Sequence, residues 1–182
     1  MPHKLLLQML KYPGSTGAVI PSSKRLADAM ARAATGAVRV IELGAGTGPV
    51  TQALLTQYPF ARLTVVELQP SLAKHLRARF PGVEVIQACA HEVLDAYLFQ
   101  GDTALVSSLP FRSLPEDIRN VTIDSIVRFM RRHPGSRLVQ FTYHPQAPFP
   151  APDGFRWSRQ AFVWRNIPPA GVWVLRPDVA WF

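Results

Sequence analysis

Short apolar runs and amphipathic stretches alternate along the chain. The apolar runs are rich in β-branched residues, as buried strands are, and they cover 38–43, 63–68, 83–87, 104–107 and 138–143. The amphipathic stretches carry helix start and stop signals, and they cover 22–34, 49–57, 71–80, 91–98 and 113–133. The last of these begins with a capping box, because Glu116 follows Ser113 by three residues.

Strands that alternate with helices in this way form parallel sheets with right-handed crossovers. The pattern changes beyond Tyr143, where seven of the 17 prolines lie and a helix is excluded. Two further strand-like runs, 157–164 and 171–175, have no helix between them, so we expect an antiparallel hairpin. The sequence therefore predicts an α/β fold in one domain, 1–182: a doubly wound, mostly parallel seven-stranded sheet with N-terminal helices and a C-terminal hairpin.

The sharpest motif lies at the end of the first strand, where Gly44, Gly46 and Gly48 give the spacing G-x-G-x-G. A dinucleotide site needs G-x-G-x-x-G, and a P-loop needs a following Lys-Ser/Thr, so neither pattern is met. Glu42 precedes the glycines, and Glu67 ends the second strand about 20 residues further on, where a carboxylate can take ribose hydroxyls. The alternative is a tight strand-to-helix turn with no ligand.

Two acids around a glycine turn of this spacing resemble the S-adenosylmethionine site of the seven-stranded methyltransferases. The resemblance implies that S-adenosylmethionine is the cofactor. It also implies that the glycines pass the amino-acid end of the cofactor and that Glu67, followed by Leu68, holds its ribose. Gly17 and Ser107 are the further positions that we expect at the cofactor.

Three flanking stretches narrow the family. Ser107-Ser108-Leu109-Pro110 after the fourth strand is similar to the N-[LI]-P-[YF] motif of adenine-N6 methyltransferases, with Ser108 in place of the amide. Together with 16–23 and 164–173, it resembles the bacterial phospholipid N-methyltransferases, which convert phosphatidylethanolamine towards phosphatidylcholine. The resemblance spans 11–176. It implies a catalytic set of Ser108, Leu109, Pro110 and Tyr143.

The chemistry of methyl transfer requires alignment of a neutral amine and exclusion of water. Tyr143 is the best-placed side chain to contact the amine, although an ordinary core tyrosine is as good an interpretation. Carbonyl oxygens around 107–110 are further acceptors, and His144 fits a surface loop better than a base. Cys89 or a neighbouring residue of 87–90 stands where the family usually has an acid near adenine, and no spacing predicts a metal site.

Charge points to an anionic partner, since 20 Lys+Arg against 12 Asp+Glu give a net +8. Residues 1–12 have the apolar surface and narrow polar stripe of a short interfacial helix, although a helix packed on its own core is the alternative. We expect a monomer at the cytoplasmic membrane surface, with a phospholipid substrate and help from basic side chains: Lys24, Arg25, Arg112, Arg131 and Arg132. An RNA adenine dimethyltransferase is the alternative, disfavoured by Ser108, and a non-catalytic cofactor-binding fold is a third.

Overall fold

The computed structural model describes residues 23–97 and 101–178. Its helices are α1 (Lys24–Ala33), α2 (Pro49–Gln57), α3 (Pro70–Arg79), α4 (Ala90–Ala96) and α5 (Glu116–Arg132). Its strands are β1 (Arg39–Leu43), β2 (Arg62–Val66), β3 (Glu84–Ile86), β4 (Thr103–Ser107), β5 (Arg137–Thr142), β6 (Phe155–Val163) and β7 (Ala170–Pro177). The predicted helix at 1–12 and Gly17 lie outside the described residues.

The described strands form one seven-stranded sheet in the order β3-β2-β1-β4-β5-β7-β6. The first five strands are mutually parallel, while β7 is antiparallel to both β5 and β6. The predicted fold class is confirmed, including the terminal hairpin. The second strand of the hairpin, β7, lies against β5, so β6 is the outermost strand on that side of the sheet.

Successive residues of the central strands point to opposite faces of the sheet, and both faces are covered. Val40 of β1 packs with Leu26 of α1 and Leu54 of α2, in a core that also contains Leu76 of α3. The next residue, Ile41, belongs to the other core, whose helical members come from α4 and α5: Val93, Leu94, Ile126, Val127, Phe129 and Met130. The near-continuous apolar character of the strands is thus explained by burial on both sides.

The start of α5 differs from the sequence prediction. The helix begins at Glu116, with Pro115 in the capping position, and no side chain caps it. Proline disfavours the helical conformation in the residue before it, so Leu114 cannot continue a helix begun at Ser113. The N–H groups of Ser113 and Leu114 instead bond to the Pro110 carbonyl at 2.8 and 3.0 Å. A capping box does occur at α4, between Cys89 and Glu92.

The strand register brings the ends of the central strands to one level. Leu43 pairs with both Val66 and Ser107, so β1, β2 and β4 end together. Ser107 pairs with Gln140 of β5, which continues two residues further to Thr142. We call this the carboxyl edge of the sheet and the opposite one the amino edge. The strand order reverses between β1 and β4, which makes this edge the place where open α/β sheets bind ligands.

The hairpin turn also lies at the carboxyl edge. Gly171 at the start of β7 pairs with Thr142 at the end of β5. Because β7 runs in the opposite direction, the turn 164–169 that precedes it extends beyond the ends of the parallel strands. The hairpin therefore reaches the same side of the molecule as the glycine motif.

Candidate cofactor and substrate site

The three glycines at the end of β1 have different structural roles, although all have positive φ: +74° at Gly44, +58° at Gly46 and +87° at Gly48. A Cβ at Gly44 would lie 2.8 Å from Leu109 Cδ2, and one at Gly48 would lie 2.6 Å from Phe80 Cε2. A Cβ at Gly46 would meet nothing within 4 Å. Gly44 and Gly48 thus permit close packing, while Gly46 borders open space that is available to a ligand.

Glu67, one residue past β2, lies across the turn from Gly46. Its carboxylate accepts the Gly46 N–H at 2.8 Å through Oε2 and the Gln69 N–H at 2.9 Å through Oε1. A carboxylate oxygen has two lone pairs, so each retains capacity for a hydroxyl donor. The side chain is buried and fixed by the backbone on both sides, which leaves it well oriented to receive a diol.

Glu42 is completely buried beneath the turn. Thr51 of α2 donates its hydroxyl to Glu42 Oε2 at 2.6 Å, whereas Oε1 has no partner among the described residues. Burial raises the pKa of Glu42 to about 8, the Thr51 hydrogen bond works against this, and the nearby charge of Glu67 adds to the rise. At neutral pH Glu42 is therefore mainly a neutral carboxylic acid.

This arrangement fits a nucleoside cofactor that carries an amino-acid tail. Gly46 gives access to the backbone, and Glu67 has acceptor capacity at the end of β2. Beneath them, Glu42 supplies an unpartnered buried oxygen. The predicted cofactor residues at 42–48 and 67–68 are all brought together at the carboxyl edge. Ser107 joins them, because it pairs in register with Leu43.

The Ser107–Pro110 stretch forms a tight turn beside the glycines. The Ser108 N–H bonds to the Leu43 carbonyl at 2.9 Å, and the Leu109 N–H bonds to Ser107 Oγ at 3.2 Å. The Leu109 carbonyl already accepts from Gln140 Nε2 at 3.0 Å and from the Phe111 N–H at 3.0 Å.

The carbonyl of Pro110 likewise accepts two N–H groups, from Ser113 and Leu114. A carbonyl oxygen has two lone pairs, so the Leu109 and Pro110 carbonyls are fully used in shaping the turn. Ser107 lies within the β4 ladder between β1 and β5, so Ser108, one residue past the strand, is the expected backbone acceptor that this arrangement leaves for a substrate amine. Leu109 contributes its side chain, which packs over the site of a Gly44 Cβ.

Sequence reasoning did not identify Gln140 or Asn166. Gln140 is buried in β5 and donates Nε2 to the carbonyls of Leu109 and Phe141, at 3.0 and 2.9 Å. The only sequence signal for Gln140 was its amide side chain within the otherwise largely apolar run 138–143. Asn166 is a buried polar residue in the hairpin turn. Its sequence neighbourhood is rich in proline and gives no sign that this residue is buried.

Tyr143 follows the last residue of β5 and is half-buried. Its ring centroid lies 5.3 Å from that of Phe141. Burial raises the pKa of Tyr143, and a hydrogen bond with the Asn166 side chain opposes part of that rise. The side chain is consequently a neutral phenol at physiological pH, able to donate or accept a hydrogen bond. His144 is exposed, as expected for a surface loop.

Cys89 has a structural position at the start of α4. It is buried, and burial raises the pKa of its thiol to about 11, with the charge of Glu92 as a further cause. Cys89, His91 and Glu92 bring potential metal-ligand atoms within 4.8 Å of one another. The Glu92 carboxylate, however, accepts the Cys89 N–H at 3.2 Å, and a protonated thiol is a poor metal ligand. The expectation of no metal stays a prediction.

The basic residues expected at a membrane are divided between the two edges. Lys24 and Arg25 begin α1, and Arg112 follows the Ser-Leu-Pro turn, so these three lie towards the carboxyl edge. Arg131 and Arg132 end α5 just before β5 begins, which places them at the amino edge. Arg132 donates there to the Leu94 carbonyl at 2.9 Å. The two arginines of α5 therefore lie on a different edge from the other three, and a role at a membrane stays a prediction for all five.

Comparison with known proteins gives sequence relatives and fold relatives. No protein-family model matches the chain. The ornithine lipid N-methyltransferase of Singulisphaera acidiphila is 28% identical over 148 residues, covering 75% of this chain and 74% of that protein. Within the described residues, no helix is long and apolar enough to cross a membrane.

Two solved structures illustrate the fold relationship. The Burkholderia thailandensis 1,6-didemethyltoxoflavin-N1-methyltransferase with bound S-adenosylhomocysteine has a TM-score of 0.65 at 17% identity, covering 97% of this chain and 87% of that one. The 23S rRNA methyltransferase ErmE has a TM-score of 0.59 at 22% identity, covering 86% and 69%. These likenesses show that the chain has the fold of the class I S-adenosylmethionine-dependent methyltransferases, and the sequence relative above is itself a methyltransferase.

Proposed function

We propose that this protein is a methyltransferase that transfers a methyl group from S-adenosylmethionine to the primary amine of a lipid headgroup at a membrane surface, with phosphatidylethanolamine as its first substrate. The observation that carries the proposal is the meeting of two turns at the carboxyl edge. Ser108, which stands where adenine-N6 methyltransferases have an amide, is tied to β1 directly before Gly44 by its 2.9 Å bond to Leu43. A small hydroxyl at this point suits a flexible alkylamine better than a planar base.

The chemistry asked of the protein is modest. When bound, the cofactor supplies a methyl group activated by its sulfonium. A neutral amine would take that methyl group, with a C–N bond replacing the C–S bond, and would lose its proton to water. Tyr143, a neutral phenol, accepts an N–H hydrogen bond and so directs the amine lone pair. The protein contributes alignment and exclusion of bulk water.

An ornithine lipid is the second lipid candidate, favoured by the relative from Singulisphaera acidiphila. Both lipids present a primary amine a short distance from the bilayer surface. The glycine turn and the Ser107–Pro110 turn therefore suit either lipid. An adenine in RNA remains the alternative from another class. The likeness to ErmE supports the shared fold, whereas Ser108 argues against adenine, because one hydroxyl cannot replace the paired donor and acceptor of an amide.

Methyl transfer from labelled S-adenosylmethionine tests the proposal. Three acceptors are offered separately: phosphatidylethanolamine in mixed anionic vesicles, ornithine lipid in the same vesicles, and ribosomal RNA. Label in phosphatidylethanolamine is expected. Label in ornithine lipid alone would keep the lipid-amine class and replace the substrate, and label in RNA alone would overturn the proposal.

A pair of tyrosine variants tests the placement of the amine. Tyr143→Phe removes the phenol oxygen at the carboxyl edge and should lower kcat about tenfold with little change in cofactor affinity. Tyr97→Phe removes one at the amino edge, just past α4, and leaves its ring against Phe129. Equal rates for the two variants would remove Tyr143 from the amine site.

A further inference from the structure

The turn of the β6–β7 hairpin exposes two large apolar side chains. Trp164 is 76% exposed and Ile167 is 85% exposed, although they are only three residues apart. Large apolar groups exposed together in this way mark surfaces that meet an apolar partner. Trp164 is also braced from below, since its ring centroid lies 4.4 Å from that of Phe162 in an edge-to-face contact.

Asn166, between the two, holds the turn in shape. Its N–H bonds to the Val163 carbonyl at 3.2 Å, and its buried side chain donates to the Pro168 carbonyl at 2.7 Å. The same side chain acts on Tyr143, where it opposes part of the rise in pKa that burial causes. With Asn166 fixed inward, its exposed neighbours are presented outward on a preformed turn, so little conformational entropy is lost when they bind.

The charge of the hairpin specifies what kind of apolar partner it suits. The part of the hairpin around the turn, 159–173, contains Arg159 and Arg165 and no acidic residue. The other two hairpin arginines, Arg156 and Arg176, pair with each other at the amino edge. Arg165 is exposed within the turn itself. Arg159 lies 5.8 Å from the Phe162 ring centroid and 5.7 Å from that of Trp173, so its guanidinium is held close to the aromatic group. Tryptophan beside arginine is typical of the headgroup layer, where the ring enters the interface and the cation meets lipid phosphate.

We propose that the turn 164–169 is a membrane-docking element that inserts Trp164 and Ile167 into the interface of an anionic bilayer. The inference rests on the proposed function and adds to it the surface by which the enzyme meets its substrate. The turn lies at the carboxyl edge, and the pairing of Gly171 with Thr142 brings it next to Tyr143 of the amine site. Docking through this turn points the cofactor site at the headgroups.

The opposite edge supplies a matched control. Phe60 is 100% exposed and precedes β2, so it is a fully exposed aromatic side chain at the amino edge. A bilayer that bound the protein merely through exposed apolar groups would use Phe60 as readily as Trp164. Docking that serves the site uses the carboxyl edge alone.

The test compares the Trp164→Ala/Ile167→Ala double variant with Phe60→Ala. Each is sedimented with vesicles of phosphatidylethanolamine and phosphatidylglycerol, and cofactor affinity and melting temperature are measured in parallel. The double variant should bind vesicles about tenfold more weakly, with cofactor affinity and melting temperature retained, because these side chains contact lipid rather than core. Phe60→Ala should bind as the wild type does. Unchanged binding by the double variant, or an equal loss in Phe60→Ala, would overturn the inference.

Arg165→Glu tests the charge separately. It should weaken binding to the same vesicles about fivefold or more, and the loss should shrink as salt is raised. Failure of the proposed function gives a different result, because wild-type protein would then bind vesicles through the turn and methylate no lipid amine. Trp164 fluorescence gives an independent readout: lipids with brominated acyl chains should quench the wild type more than Trp164→Phe, and equal quenching would contradict insertion.

Discussion

The two edges of the sheet use charge in opposite ways. At the amino edge, arginine side chains bond to backbone carbonyls of neighbouring elements: Arg137 donates to Ala34 at 2.7 Å and to Thr35, and Arg132 donates to Leu94. At the carboxyl edge, carboxyl groups lie next to a turn that borders open space. The direction of the helices explains the difference, because helix carboxyl ends meet the amino edge and attract cations.

A net charge of +8 is therefore not a measure of the surface available to an anionic partner. Arg137 of β5, for example, is buried, and its guanidinium bonds to the Ala34 carbonyl at the end of α1. The basic groups that remain towards the site are fewer: Lys24, Arg25, Arg112, Arg159 and Arg165. Basic side chains at the amino edge thus stabilise the fold through backbone carbonyls, whereas those at the carboxyl edge are available to an anionic partner.

The largest expected effect concerns Glu42 and the pH dependence of stability. Its pKa is about 8 in the fold against 4.5 ordinarily, so between these values the folded state retains a proton that the unfolded chain releases. The free energy of unfolding should consequently fall as pH rises through this window, by on the order of 5 kcal/mol in total. Glu42→Gln cannot lose a proton and should lack this part of the slope.

Urea unfolding of both proteins across the window measures the difference. Asp95 at the amino edge gives the contrast, because burial would raise the pKa of Asp95 but hydrogen bonds from Arg128 and Ser125 outweigh it and lower the pKa. Its contribution to stability is lost as pH falls, the opposite sign. Parallel slopes for wild type and Glu42→Gln would show that Glu42 is ionised in the fold.

Glu67→Ala should have the next largest effect, on cofactor binding. The carboxylate orders the turn through Gly46 and Gln69, and loss of charge-assisted hydrogen bonds costs about 3 kcal/mol, or roughly 100-fold in affinity. Glu84→Ala is the control at the amino edge, where Glu84 accepts from Thr64 at 2.8 Å. Calorimetric titration with S-adenosylmethionine should separate them, and similar affinities would refute the assignment of Glu67 to the cofactor.

The sequence was sufficient for the sheet and for the glycine turn. Strands buried on both faces give continuous apolar runs, and the G-x-G-x-G spacing needs positive φ at each glycine, which the structure has. Tertiary hydrogen bonds could not be predicted in this way. Gln140 supports Leu109 across 31 positions, and no local pattern specifies that contact.

The start of α5 shows a different limit, since two local rules competed. A capping box favoured Ser113, while Pro115 opposed helix at Leu114, and the proline prevailed because its steric restriction costs more than a cap contributes. The division of the arginines between edges required the topology. Residues 131–132 and 24–25 are equally basic in sequence and are separated only by the direction of their helices.

A pair of glycine variants should give the third largest effect, on stability for one variant and on cofactor binding for the other. Gly48→Ala places a methyl group against Phe80 and Leu76 at 2.6 and 2.9 Å, and should lower the free energy of unfolding by about 2 kcal/mol or more. Gly46→Ala meets no atom within 4 Å, so its cost is the backbone strain of about 1 kcal/mol. Its added methyl group should instead obstruct the cofactor. Chemical denaturation and cofactor titration of both variants check this, and the assignment fails if Gly46→Ala binds cofactor normally.

Asp95→Asn should have the smallest effect. Asp95 accepts from Arg128 at 2.9 Å and from Ser125 at 3.0 Å, joining α4 to α5 at the amino edge. Both charged side chains are about half exposed, so water screens them and the pair contributes about 1 kcal/mol or less. The free energy of unfolding should drop by that amount, with the rate of methyl transfer unchanged. A loss of activity without a loss of stability would mean that the amino edge is coupled to the site, and the two edges would no longer have separate roles.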